Sequence, residues 1–340
     1  MYGCDFPITI TGLGKAYGRN EMSNKALIDR YGIRIKEFFI DRFIGAKTRY
    51  YAAEDQTTSD LATEAARQAL DRAGLTAQDL DRIIVATSTP DYLSPSTACV
   101  VQAKLGASCP AYDVGNACSG FIYALDQALR SVATGDKNVL VIGADLRSRT
   151  LDYTDRKTVF LYGDGAGAAI ISRGNPADME KELGFSASVL FADGTKHDAV
   201  YVESVGRNQC HGATLTMPDG EAVSGDVIGG TPKLIDSIRS EAELEMDDID
   251  FFVFHQPNGM MLRKLFEKLG LGEERTHINF DRVGNTVAAT VPIALTEAWE
   301  AGRLEPGKCV LLGAVGAGIT GGAHILNWTM AKPNEERKAA

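Results

Sequence analysis

Three residues in this chain could do chemistry together, and each stands at a turn. Cys118 lies in Ala111-Tyr-Asp-Val-Gly-Asn-Ala-Cys-Ser-Gly-Phe-Ile-Tyr-Ala-Leu125, where a short apolar strand turns at Gly115-Asn116 and enters a helix. Phe121, Ile122, Ala124, Leu125, Ala128, Leu129 and Val132 recur at helical spacing, so Cys118 falls at the first turn of a mostly buried helix. The unpaired N–H groups and the helix dipole there favour a thiolate, the nucleophilic form of cysteine. The bland alternative is a small apolar core residue, which most buried cysteines are. His255 follows the apolar run Phe251-Phe-Val-Phe254, and Asn285 sits in Gly284-Asn-Thr-Val-Ala-Ala-Thr290. Each has its own bland reading, a strand-end histidine and a helix cap.

The elements that must position these residues occur twice. Asp79-Leu-Asp-Arg-Ile-Ile-Val-Ala86 has a counterpart in Asp248-Ile-Asp-Phe-Phe-Val-Phe-His255, and Lys137-Asn-Val-Leu-Val-Ile-Gly143 in Lys308-Cys-Val-Leu-Leu-Gly313. The Gly115-Asn-Ala-Cys118 turn pairs with Gly284-Asn285-Thr, each opening an apolar helix. The order helix, strand, helix, turn-helix, strand recurs and predicts two similar α/β units sharing one site. The repeat brings Cys118, His255 and Asn285 to the sheet edge where open α/β sheets bind ligands.

Local signals fill in the rest. A strand is expected over 8–11 and a helix over 23–31. Ser59 is expected to cap a helix ended by Gly74, with Leu61, Ala62, Ala65, Ala66, Ala69 and Leu70 on its inner face. Further helices are expected over 95–105 and about 226–244, with short strands and loops over 173–216. Gly12-Leu-Gly14 has the look of a dinucleotide-binding turn, but no second strand ending in an acidic residue follows about 20 residues on, so it reads as structural. Gly163-Asp-Gly-Ala-Gly167 enters a strand and lacks the Lys-Ser/Thr of a phosphate loop.

Composition narrows the class. With 340 residues the chain can hold two units or one large α/β body, and its 44% hydrophobic and 24% charged residues suit a globular enzyme. A net charge of −10 argues against nonspecific nucleic-acid binding and against anionic membrane surfaces. No apolar run reaches membrane-spanning length and no secretory leader is visible at the start, so a cytoplasmic location is expected. Cys4, Cys99, Cys109, Cys118, Cys210 and Cys309 show no metal or disulfide spacing, and His197, His211, His277 and His324 are scattered, so no metal is expected.

Asn-Ala-Cys118-Ser-Gly-Phe, Phe-His255-Gln-Pro-Asn and Gly-Asn285-Thr together resemble the thiolase superfamily, specifically ketoacyl-acyl carrier protein synthase III. The resemblance runs from about residue 8 to 328 and includes Tyr-Gly163-Asp-Gly-Ala-Gly-Ala-Ala and the late loop Gly316-Ala-Gly318. It implies an α/β thiolase-like fold of two pseudo-repeated halves in a five-layered α-β-α-β-α body. The halves would span 1–174, with the nucleophile, and 175–330, with the histidine and asparagine, before a disordered tail over 331–340. It also implies a homodimer. In the reaction so implied, Cys118 takes an acyl group from acyl-CoA. His255 and Asn285 then assist decarboxylation of a malonyl thioester, whose enolate attacks the acyl-cysteine to give a β-ketoacyl thioester. No permanently bound cofactor is implied, and acyl-CoA, malonyl thioester and an acyl carrier protein are the partners.

By the same resemblance the backbone N–H groups of Cys118 and Ala317 form the oxyanion hole. Phe39, Arg156 and Asn258 would bind CoA or pantetheine, and Ser94 would reach the partner's acyl tunnel. The chain also departs from the pattern. Gly316-Ala-Gly-Ile-Thr-Gly321 lacks the second cysteine of a thiolase, Phe43 stands where the bacterial enzyme has an adenine-clamping arginine, and Met260 replaces a carrier-docking arginine near Arg263, Lys264 and Lys268. Two other functions stand beside condensation: transfer of the Cys118 acyl group to an alcohol or amine in a specialised-metabolite pathway, and a noncatalytic scaffold.

Overall fold

A computed structural model describes residues 4–176, 179, 182–203 and 214–333. Cys210, His211 and the last seven residues of the expected tail lie outside the described residues. The chain begins β1 (Ile8–Tyr17), β2 (Asn20–Ser23), α1 (Asn24–Tyr31), α2 (Glu37–Phe43), β3 (Thr48–Tyr51) and α3 (Thr58–Ala73). It continues β4 (Arg82–Ala86), α4 (Thr97–Leu105), β5 (Ala111–Val114), α5 (Gly120–Ala133), β6 (Asn138–Leu146) and β7 (Asp164–Arg173). Then come β8 (Gly184–Ala192), β9 (Tyr201–Val202), β10 (Leu215–Thr216), α6 (Gly220–Ala242), β11 (Phe251–Phe254) and α7 (Gly259–Leu269). The last elements are α8 (Phe280–Val283), α9 (Thr290–Glu300), β12 (Cys309–Gly316) and β13 (Thr320–Asn327).

Two sheets carry the body. The first has the order β1-β7-β6-β4-β5 and the second β8-β13-β12-β11. β6 and β4 pair in parallel while β7 runs antiparallel to both β6 and β1; β12, β11, β13 and β8 repeat that pattern. Thr276, bridged in parallel to Phe252, stands where β5 stands in the first sheet.

Between the sheets lies a layer of α5 and α9, apolar nearly all round. Phe121, Leu125 and Leu129 of α5 and Val291 and Leu295 of α9 share one core with Val139 and Val141 of the first sheet and Val253, Val310 and Leu312 of the second. A helix between two sheets must be apolar over most of its surface, and α5 buries nine of its 14 residues, Asp126 among them. α3 and α4 cover the outer face of the first sheet, and α6 and α7 that of the second. The result is the five-layered α-β-α-β-α body expected of the sequence.

Some boundaries moved for identifiable reasons. α3 is capped by Thr57, not Ser59, through a reciprocal capping box with Asp60. The Ser59 side chain is instead bound to Asp91. α6 starts at Gly220, earlier than its glycine-rich sequence predicts, because the Asp219 carboxylate accepts the N–H groups of Glu221 and Ala222 at 3.0 Å. Gly12 and Gly14 lie inside β1, where any Cβ would run into the carbonyl oxygens of Ala69 and Ala65 on α3. They permit close strand–helix packing, in keeping with the structural reading of that turn.

Candidate active site

The two nucleophile-type turns are built alike. Each is a short 3-10 segment, Ala117–Ser119 or Val287–Ala289, leading directly into α5 or α9. In each the first residue takes a left-handed backbone, Ala117 at φ 43° and Val287 at φ 53°. For a β-branched valine that conformation is strained, as at many functional turns. The sharp bend therefore lies at Ala117, one residue past Gly115-Asn116. The structural counterpart of Cys118 is Ala288, so the repeat is offset by one residue from the sequence pairing of Asn116 with Asn285.

Cys118, His255 and Asn285 line one cavity of about 530 Å³ with Tyr162, Asn258, Ala317, Met217 and Met260. The β12 end closes tightly on the nucleophile, since a Cβ on Gly316 would stand 2.5 Å from Cys118 Cβ. That approach presents the Ala317 N–H, along with the Cys118 N–H, to the Cys118 sulfur. Desolvation is the largest influence on the thiol and pushes it up to about 11. The Arg147 charge and those two N–H groups pull it down, while Asp145 adds to the rise. Burial thus opposes the thiolate that the helix start favours, while Arg147 and the two N–H groups support it.

His255 leaves β11 with its N–H bonded to Gly313 O at 2.9 Å and its side chain buried. Burial pushes the imidazole down to about 3, so the ring is neutral. Its Nδ1 lies 2.6 Å from Thr290 Oγ1 at the start of α9. Asn285 is held from both sides: its backbone N–H reaches Leu161 O at 2.8 Å, and its Oδ1 accepts the Val287 N–H at 2.8 Å. Its Nδ2 makes a long 3.5 Å contact to Pro257 O. Two preorganised side chains thus share a pocket with a sulfur nucleophile.

The remaining expected site residues are scattered. Asn258 lines the cavity, and its Oδ1 caps α7 by accepting the Met260 and Met261 N–H groups at 2.8 and 3.1 Å. Phe39 is exposed on α2 and stacks on Phe43 at 6.3 Å; Phe43 lines the cavity and Phe39 does not. Arg156 donates to Arg34 O at 3.1 Å outside the cavity, whereas its neighbour Lys157 lines it. Ser94 is exposed in the loop that carries the surface residues Tyr92 and Leu93. Lys264 lines the cavity, while Arg263 faces a separate cleft.

Sequence reasoning left Thr290, Tyr162, Arg147 and Lys157 without these places. Thr290 closes the quoted Asn285 motif, six residues from Gly284, and a polar residue there on an apolar helix start was the available signal.

A half-buried cysteine at a strand–helix turn, lining one cavity with a histidine and an asparagine in a five-layered duplicated body, is the arrangement of a thiolase-like condensing enzyme. The chain is similar over its length to the 3-oxoacyl-[acyl-carrier-protein] synthase III of Aquifex aeolicus, at 34% identity and TM-score 0.87, covering 94% of this chain and 100% of that one. The β-ketoacyl-[acyl carrier protein] synthase III of Thermus thermophilus is 38% identical at TM-score 0.88, covering 95% and 100%. A priming β-ketosynthase from a polyketide biosynthetic pathway is 28% identical at TM-score 0.88, covering 96% and 98%. Residues 112–194 match the family 3-oxoacyl-[acyl-carrier-protein] synthase III and residues 240–328 its C-terminal family. The chain belongs to the 3-oxoacyl-[acyl-carrier-protein] synthase III family, and its reaction is the acyl-CoA-primed decarboxylative Claisen condensation characteristic of that family.

Proposed function

We propose that Cys118, His255 and Asn285 divide that condensation into two half-reactions. The observation that carries the assignment is their meeting in one cavity from opposite halves of the chain. Cys118 sulfur attacks the thioester carbonyl of acyl-CoA, and the CoA thiol leaves with the proton. A thioester on cysteine stays reactive enough for the second step. The Cys118 and Ala317 N–H groups stabilise the oxyanion. A malonyl thioester then loses carbon dioxide. Its enolate oxygen is held by His255 and Asn285, the enolate carbon attacks the acyl carbonyl, and the Cys118 sulfur is expelled.

The cavity mouth suits a pantetheine arm: Met217, Met260 and Val200 give it apolar walls, with Lys157 and Lys264 among its polar residues. Phe39, Arg156 and Asn258 remain candidates for the CoA end, and Ser94 for the acyl tunnel across a homodimer. An acyl carrier protein as extender carrier and a cytoplasmic location belong to the same reading. No described helix is long and apolar enough to cross a membrane. Incubating the protein with acyl-CoA and mapping the adduct by peptide mass tests the assignment. The expected product is one acyl group on Cys118, and labelling of another residue or undiminished labelling of Cys118→Ala would overturn it.

A further inference from the structure

The turns that open α5 and α9 are each met by a strand from the other half of the chain. The end of β12 meets the Cys118 turn, and there Gly316 brings no side chain. The end of β6 meets the Val287–Ala289 turn, and there Asp145 brings a carboxylate. Asp145 is fully buried. Its Oδ2 accepts the Ala288 N–H at 3.1 Å. Its Oδ1 accepts the Ser88 N–H at 2.9 Å, the Ser88 hydroxyl at 2.7 Å and the Thr89 hydroxyl at 3.2 Å. Both hydroxyls have protons to give, since Ser88 Oγ accepts from Arg147 and Thr89 Oγ1 accepts the Leu146 N–H at 2.8 Å. Burial works against a charge on Asp145, while Arg147, 3.9 Å away, and the Ser88 and Ala288 donors work for it.

Ala288 is the structural counterpart of Cys118, so the N–H that Asp145 takes up matches the Cys118 N–H assigned to the oxyanion hole. One turn is left open for a substrate oxygen, and its copy is filled by an oxygen of the protein. The filled turn follows directly on Asn285. Two successive N–H groups in it are held, Val287 by Asn285 Oδ1 at 2.8 Å and Ala288 by Asp145. Val287 has the left-handed backbone, φ 53°, which a valine keeps only where its surroundings enforce it. With Oδ1 engaged, the Nδ2 end of the Asn285 amide is the end left to donate.

We propose that Asp145 is a positioning residue for Asn285: by taking the Ala288 N–H across the two halves, it fixes the strained turn and so the direction of the Asn285 amide. Asparagine at 145 would keep the shape but have one acceptor oxygen. Three donors converge on Oδ1 and one on Oδ2, so the amide oxygen goes to the Ser88 side. The amide nitrogen is then turned on the Ala288 N–H, donor against donor, and the turn must give way.

The inference rests on the two-step reading above for the role of Asn285, and one part of its test does not. In the free wild-type protein, hydrogen exchange at residue resolution should show the Ala288 amide about 100-fold or more slower than the Cys118 amide. Equal exchange at the two amides overturns the proposal without any variant, and it decides the matter if Asp145→Asn does not fold. In Asp145→Asn, condensation by enzyme already loaded at Cys118 should fall on the order of 100-fold, the scale of a small misplacement. Acylation by acyl-CoA should hold or rise, because the charge that adds to the rise of the Cys118 thiol is gone. Thr89→Val removes a donor from Oδ1 and leaves the Ala288 contact, so both half-reactions should stay near wild type. Equal loss of both half-reactions in Asp145→Asn marks a packing role and overturns the proposal, as does condensation at the wild-type rate. Asn285→Ala condensing at the wild-type rate would instead fault the two-step reading, and it leaves the exchange contrast untouched.

Discussion

Replacing Gly316 by alanine tests how the oxyanion hole is made. The added Cβ would stand 2.5 Å from Cys118 Cβ and 3.2 Å from Cys118 Cα and Ser119 N. Carbon atoms pack best at about 3.5–4.0 Å, so the end of β12 or the nucleophile turn must retreat by about 1 Å. Overpacking of this kind costs about 1–3 kcal/mol of stability. A misplacement near 1 Å costs on the order of 100-fold in a positioned reaction. The Ala317 N–H follows Gly316 directly, so the retreat moves the proposed oxyanion donor and Cys118 apart. The assay is the rate of acyl-CoA labelling of Cys118 by intact-protein mass, beside the urea midpoint. Gly194→Ala, with nothing within 4 Å of its added Cβ, serves as control and should change neither. Labelling of Gly316→Ala at the wild-type rate would refute the claim that this close approach sets the site.

Two other predictions follow from the site's charges and its outer loop. Because burial pushes the Cys118 thiol up to about 11, its alkylation by iodoacetamide should climb about tenfold per pH unit from pH 7 to 9 without levelling, since only the thiolate reacts. Arg147→Met removes a charge that pulls the thiol down, so the profile should move to higher pH; a plateau below pH 8 in wild type would show that the helix start wins after all. Ser94→Phe should shift acyl preference toward short acyl-CoAs, by orders of magnitude if several methylenes are blocked at about 1–3 kcal/mol each. An unchanged chain-length profile, or wild type using acetyl-CoA best, would remove Ser94 from the acyl tunnel.

Much of the architecture was legible because buried elements leave plain patterns. α5, packed between two sheets, is apolar over most of its surface, and β4, β6, β11 and β12 each carry a run of apolar residues bounded by turns. The duplicated order of these elements pointed to one edge for Cys118, His255 and Asn285. Capping was less legible: Thr57 and Ser59 are both good caps, and only the tertiary partner Asp91 decides that Ser59 is engaged elsewhere. The opposing pull on Cys118 was not legible because the helix start is a local feature visible in sequence, whereas the cavity around the sulfur is lined by residues far away along the chain, Tyr162, Gly316 and Ala317 among them. Thr290 escaped for a related reason, since its meaning depends on a contact 35 positions back to His255.

The most direct measurement loads Cys118 with an unlabelled acyl group, removes excess acyl-CoA, and adds a malonyl thioester labelled in its free carboxyl carbon. The account predicts one equivalent of labelled carbon dioxide per acyl-cysteine consumed, with a β-ketoacyl thioester two carbons longer than the primer. His255→Ala and Asn285→Ala, loaded to the same extent, should release it about 100-fold more slowly or less. Acyl-cysteine discharged to an alcohol or amine with no carbon dioxide released, or release at the wild-type rate by both variants, would contradict it.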